Sequence, residues 1–242
     1  MTTPEPLSVC FHVLTVYPDI FASFLSEGLI GKAIDDKKLI VELVDFRENG
    51  IGKHNKVDAP PYGGGAGMVL RPEPIFESLT ALDKKASVHK ILISPQGQSF
   101  NQQKAIELSK KEKPIALVCG RFEGFDERIR SLVDEEISLG DFVMMGGEIA
   151  AMAIVESVAR LIPGVIGNQE SLTHESFSQD LLEYSQYTRP IEFNGIRVPD
   201  VLTSGNHQEI EKWRLKDAER KTRMKRSDLY ERYLQRSESS DI

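Results

Sequence analysis

Residues 114–124 read PIALVCGRFEG, an unbroken apolar run that passes directly into a loop bracketed by Gly120 and Gly124. A run of this length closed by glycine is the pattern of a strand buried on both faces of a parallel sheet. The pattern recurs through the first 160 residues, where 11–16, 39–44 and 90–94 read as strands beside 114–119. Helical patterns fill the intervals at 21–34, 74–82, 101–109 and 125–133, several opening after Asp, Asn or Pro, and 148–161 is a further helix halted by Pro163-Gly164. Strands alternating with helices predict an α/β domain built on a mostly parallel sheet.

Three glycine-rich segments, SPQG at 94–97, GRFEG at 120–124 and GDFVMMGGE at 140–148, each follow an expected strand at its carboxyl end. Open α/β sheets bind ligands there, because backbone groups are unpaired and glycine lets them approach closely. One such loop reads equally well as a tight turn; three on one edge imply a composite pocket. Its residues include Arg121, no Lys, and apolar rims from Phe122, Phe142, Val143, Met144 and Met145. That composition points away from a triphosphate and toward an adenine- or thioether-bearing ligand held by backbone hydrogen bonds. A fourth segment, PYGGGAGM at 61–68, follows no expected strand and has neither the Lys-Ser/Thr of a P-loop nor a GxGxxG, so alone it reads as a surface turn.

The chain has 242 residues, 40% of them hydrophobic, which is ample to bury a core and excludes overall disorder. It contains no apolar run of membrane-spanning length, and its start, MTTPEPLSVCFHVLTVYP, lacks a basic region and a continuous apolar stretch. No membrane and no signal peptide are expected, and the expected compartment is cytoplasmic. Cys10 and Cys119 are too few for a disulfide framework or a four-thiolate zinc site and read as small buried hydrophobes. A net charge of −7 counts against a nucleic-acid partner only if the charge is evenly spread. It is not: residues 205–236 hold ten Lys/Arg against six Asp/Glu, and 1–204 carry −9.

Organisation changes after residue 164. The stretch 165–189 is polar and without period, the composition of a linker or lid. Beyond Pro190 a hairpin-like segment around Asn194-Gly195 precedes two helical stretches, 208–216 and 227–234, and a polar tail at 237–242 that should fray. The expected division is 1–164, 165–189 and 190–242, the last a small, mostly helical C-terminal domain. Within it Trp213 and Ile210 share a helix face, as for a small core.

The motifs PYGGGAGM, ISPQGQ, LVCGRFEGFDER, ISLGDFVMMGGE, ARLIPGVIG, YTRP and VPDVLTSGNHQEIEKWRLK, in this order over most of the chain, resemble those of the bacterial tRNA (guanine-N1)-methyltransferases, the TrmD type of the SPOUT superfamily. The resemblance implies that the three post-strand loops form a deep trefoil knot around S-adenosylmethionine. It implies cofactor contacts from Ile93, Ser94, Pro95 and Gln96, from Gly120, Arg121 and Glu123, and from Leu139, Gly140, Asp141, Phe142, Val143, Met144, Gly146 and Gly147. It further implies a homodimer with an active site shared between chains, a lid that orders over bound tRNA, and methylation of the guanosine immediately 3′ to the anticodon.

Guanine N1 carries a proton at neutral pH, so methylation there needs a base near N1 and a cation near the O6 that takes up the charge. By resemblance Arg160 is that cation. The family's lid aspartate is replaced here by Glu175, preceded by His174. Glu175 is the expected base and His174 its rival, since an imidazole titrates near neutrality. Glu123 could accept hydrogen bonds from the guanine or help hold magnesium. Further departures from relatives are Phe122, Phe142 and Met145, each of which lacks a polar group on the pocket rim. Residues 212–226, with eight Lys/Arg against Asp217 and Glu219, suit an RNA backbone, though such a run is also what a solvated helix carries. Alternatives are a knotted methyltransferase on another RNA, or a non-catalytic RNA-binding relative.

Overall fold

The computed structural model of the chain describes residues 8–167 and 175–240. They belong to two compact units that divide between Gly167 and Asn168.

In the first unit the strands are β1 (Val9–Thr15), β2 (Leu39–Asp45), β3 (Asp58–Ala59), β4 (Val69–Leu70), β5 (His89–Ser99), β6 (Ile115–Cys119) and β7 (Glu135–Ser138). Five of these form one wholly parallel sheet in the order β2-β1-β6-β5-β7. The helices are α1 (Ala22–Ser26), α2 (Gly28–Asp35), α3 (Pro72–Lys85), α4 (Gln102–Ser109) and α5 (Glu148–Ala159). Side chains alternate between the two sheet faces: Ile115, Leu117 and Cys119 of β6 join one buried cluster, Ala116 and Val118 the other. Ile30 and Ala33 of α2, Ala105 and Leu108 of α4, and Ile154 and Val158 of α5 cover the first face. Ile75, Leu79 and Leu82 of α3, with Phe46 and Ile129, cover the second. Each large apolar side chain fully buried in this way contributes about 1.5–3 kcal/mol, so the sheet is the rigid part of the unit.

The expected strands fall where the sequence puts them, and the differences have local causes. The stretch 21–34 is not one helix, because Glu27 is extended and Gly28 takes a φ of +63°, which a continuous helix does not allow. The stretch 125–133 is a 3₁₀ turn over Glu127–Leu132, capped by Asp126 and preceded by Phe125, which bridges to Leu70. The glycine segment 61–68 does follow a strand: it is the tip of the β3–β4 hairpin, too short a ladder to show in composition. Cys119 is buried, whereas Cys10 is only partly so; burial raises both thiols above the usual range, Cys119 well above. Among the described residues no helix is long and apolar enough to cross a membrane.

In the second unit β8 (Glu192–Phe193) and β9 (Ile196–Arg197) form a hairpin whose Asn194 and Gly195 both have positive φ, as a tight turn of that twist requires. They are followed by α6 (Asp200–Thr203), α7 (His207–Lys225) and α8 (Ser227–Ser240). Thus α7 continues well past the expected stop at 216, and α8 extends through four of the residues read as a frayed tail. Residues 182–185, read as linker, are bound to α7: Ser185 N–H donates to Asp217 Oδ2 (2.7 Å), Lys221 Nζ to the Glu183 carbonyl (2.6 Å), and Leu182 N–H to Thr222 Oγ1 (2.8 Å). Trp213 is partly buried, its ring centroid 6.2 Å from that of Tyr187.

Candidate active site

The carboxyl ends of β6, β5 and β7 stand side by side because the three strands are neighbours in the sheet. The loops that leave them enclose a cavity of about 350 Å³, within the range of small-molecule sites. The first loop is an excursion of β5. Ile93 and Gln98 both pair with Ile137 of β7, so residues 94–97 leave the ladder. Ser94 Oγ donates to Glu136 Oε1 and accepts from the Gln96 N–H (3.0 Å), while Arg130 reaches Glu136 at 3.1 Å, which fixes the excursion from below. The second and third loops are joined directly: Gly147 N–H donates to the Gly120 carbonyl (2.9 Å), and Arg121 forms a β-bridge with Gly146.

The cavity brings together Ile93, Ser94, Pro95, Gln96, Gly120, Arg121, Glu123, Leu139, Gly140, Phe142, Val143, Met144, Gly146 and Gly147. Asp141 does not line it. The Phe142 N–H bonds back to the Gly140 carbonyl (2.9 Å), which puts Asp141, exposed, at the apex of a tight turn. Phe122, also on the lining, takes a φ of +58°, an uncommon conformation for an aromatic residue and one that locates the bend of the second loop. Sequence reasoning missed Phe125, Glu127, Arg130, Ser138 and Ala150, which also contribute to the wall. Their signal, proximity to a strand end, is too common to single them out. The mixture of aromatic and thioether side chains with glycine backbone suits a ligand that is part planar and apolar, part polar.

Glu123 lies at the exposed side of the cavity, and the 61–68 hairpin tip reaches it. Glu123 N–H donates to the Met68 carbonyl (2.9 Å), and a Cβ at Gly67 would strike the Glu123 side chain. Gly67, whose φ of +81° favours glycine, lets the hairpin tip approach this side chain closely, which gives this glycine segment a place at the site that its sequence did not reveal. Among the described residues no three His, Cys, Asp or Glu side chains converge to hold a metal.

Arg160 is the exposed C-cap of α5 and does not line the cavity; its N–H donates to the Glu156 carbonyl (3.2 Å). Glu175 belongs to the second unit, where it lines a separate hollow with Tyr184, Lys212, Arg214 and Leu215, and its carbonyl accepts from Ser178 Oγ (2.7 Å). His174 lies outside the described residues.

The basic run on α7 is partly neutralised. Lys212 pairs with Glu209, Arg214 with Glu211, Arg220 with Asp217, and Arg226 with Asp228. Lys216, Arg223 and Lys225 are exposed and have no ion-pair partner among the described residues.

A family model described as tRNA (Guanine-1)-methyltransferase TrmD matches residues 9–232. The chain is 50% identical over 232 residues to the tRNA (guanine-N(1)-)-methyltransferase of Shouchella clausii (strain KSM-K16), covering 95% of each. It is 49% identical over 243 residues to the protein of that name from Sorangium cellulosum (strain So ce56), covering 90% of this chain and 92% of the relative. A crystal structure of tRNA (m1G37) methyltransferase from Aquifex aeolicus superposes with a TM-score of 0.75 at 39% identity, covering 90% of this chain and 93% of that one.

Proposed function

The chain belongs to the tRNA (guanine-1)-methyltransferase TrmD family, a class of S-adenosylmethionine-dependent enzymes, and from that premise we propose that it methylates N1 of the guanosine immediately 3′ to the anticodon (position 37). The products are 1-methylguanosine and S-adenosylhomocysteine. The observation that carries the reading is the cavity at three adjacent strand ends, whose size and mixed lining fit an adenosyl thioether. The methyl donor, when bound, supplies an electrophilic methyl carbon on sulfonium sulfur. We assign its contacts to the three loops, and we read the same loops as a trefoil knot of the SPOUT type.

This chain's residues have to supply the rest. Glu175 takes the N1 proton, with His174 as the rival acceptor, and Arg160 neutralises the charge that moves to O6. Such a base typically contributes about 10²- to 10⁴-fold, and a positioned cation a few kcal/mol. Glu123, held by the hairpin tip, faces the base edge. It is also the carboxylate at which a magnesium ion would be held together with substrate oxygens, since magnesium binds through one or two carboxylates plus substrate. Lys216, Arg223 and Lys225 meet RNA phosphates. The active form is read as a cytoplasmic homodimer with a site shared between chains. The exposed Phe142, Val143 and Met145 rim is consistent with coverage by a second protomer or by RNA.

The test is methyl transfer from labelled S-adenosylmethionine to tRNA transcripts that carry guanosine or adenosine at that position. Label only on the guanosine transcript is expected; equal labelling of both overturns the site assignment. Label on a ribose oxygen would favour the alternative of a knotted enzyme with another RNA target.

A further inference from the structure

Beneath the cavity lies a carboxylate that closes the GDFVMMGGE segment but has no part in the mechanism above. Glu148 is the first residue of α5, and only 1% of its surface is exposed. It sits where the carboxyl ends of β1 and β6 meet the helix N-terminus, whose positive end favours a negative charge. Oε1 accepts a hydrogen bond from Thr15 Oγ1 (2.7 Å) and another from Arg121 Nε (3.1 Å). Oε2 accepts no hydrogen bond of good angle but lies 2.9 Å from Arg121 Nη2.

Arg121 is thereby spent on the protein. Its third nitrogen, Nη1, donates to the Met145 carbonyl at 3.4 Å, and its guanidinium carbon stands 4.6 Å from the centroid of the Tyr17 ring. The Tyr17 N–H in turn donates to Thr15 Oγ1 (3.0 Å). The arginine stem crosses Gly146 so closely that a Cβ there would collide with the side chain. One buried acid therefore fixes an arginine of the second loop, and that arginine grips the backbone of the third loop at Met145 and Gly146. Each of the three guanidinium nitrogens thus faces a protein oxygen, so the protein holds the group in place although it lines the cavity.

We propose that Glu148 is a positioning residue: acting through Arg121, it clamps the third loop against the second and so preforms the methyl-donor cavity. The inference rests on the reading of that cavity as the donor site, and two measurements keep the two apart. The first uses no ligand. In the full-length apo protein, hydrogen–deuterium exchange of the 140–147 amides, Gly147 above all, is expected to speed up in Glu148→Gln, which preserves shape but removes the charge. Arg121→Lys, which keeps a charge but not the two-point contact, should do the same. Unchanged exchange in either folded variant overturns the clamp.

The second is calorimetric binding of S-adenosylhomocysteine. Each variant is expected to raise Kd about tenfold, the scale of one lost charge-assisted hydrogen bond, and the double variant no more than either alone, because the two side chains act as a unit. Additive losses would mean that Arg121 touches the ligand itself, and would overturn the positioning role. Faster exchange with an unaltered Kd would leave the clamp standing and overturn the cavity as the donor site. If Glu148→Gln does not fold, Arg121→Lys supplies both readouts, and its failure to move either overturns the proposal.

Discussion

Replacing Lys216, Arg223 and Lys225 together by Ala removes three exposed charges from α7 and leaves its three paired basic residues, and the Arg226–Asp228 pair beyond its end, in place. If each meets one phosphate, each releases about 0.7–0.9 of a counterion on binding, so the slope of log K against log salt should become shallower by about 2–3. At 0.1 M salt one such contact contributes about five- to eightfold, and the triple variant should therefore bind tRNA roughly two orders of magnitude more weakly. Filter binding of a tRNA transcript across about 0.05–0.2 M salt measures slope and affinity together. S-adenosylhomocysteine affinity should not change, because these residues lie outside the unit that holds the cavity. An unaltered slope would refute the assignment of α7 to the RNA backbone, even if affinity fell for another reason.

Arg160→Ala should lower the single-turnover methyl-transfer rate by about 10²- to 10³-fold with little effect on donor binding, as expected for loss of an oxyanion partner; a rate within threefold of wild type would remove the role. Glu175→Gln and His174→Ala, compared in the same assay, separate the candidate bases, and a near-wild-type rate for Glu175→Gln transfers the role to His174 or elsewhere. Asp217 provides a pH test. Burial disfavours its ionisation, but the hydrogen bonds from Ser185 and Arg220 outweigh this and hold its carboxyl below the usual value. The folded value is therefore lower than the unfolded value of about 3.9, and the stability it provides is present above that pH and lost as pH falls through the folded value. Asp217→Asn should accordingly destabilise the protein by about 1–3 kcal/mol at pH 7, read by urea unfolding, with the difference from wild type closing in acid; a gap that widens on acidification contradicts the reasoning.

Four of the five strands of the central sheet were legible because parallel strands covered on both faces leave continuous apolar runs, as at 114–119. The site was legible as far as chain position allowed, since the glycine loops had to share an edge once β6, β5 and β7 proved adjacent. What stayed hidden depended on partners remote in sequence. β7 is EEIS, too acidic to read as a buried strand, and its acids are acceptable only because His89 and Lys104 meet Glu135 while Ser94 and Arg130 meet Glu136. Glu148 beside two glycines looks like an ordinary helix start, and nothing local announces Thr15 or Arg121. The full length of α7 was missed for the same reason: its second half is strongly basic, and the polar contacts of Asp217, Lys221 and Thr222 with residues 182–185 cannot be inferred from periodicity.

The order β6-β5-β7 also acts as a ruler. Neighbouring strands lie about 4.8 Å apart, so three strand ends define a slot roughly 10 Å across before any loop residue is chosen. Substitution in the loops can alter the slot's depth and chemistry, but its width belongs to the backbone ladder. Affinity among related chains can therefore drift through residues such as Phe122, Phe142 and Met145 while the ligand's thickness stays constrained. An inhibitor widened across that axis must open the ladder, whereas one lengthened along the strands needs only to displace a loop.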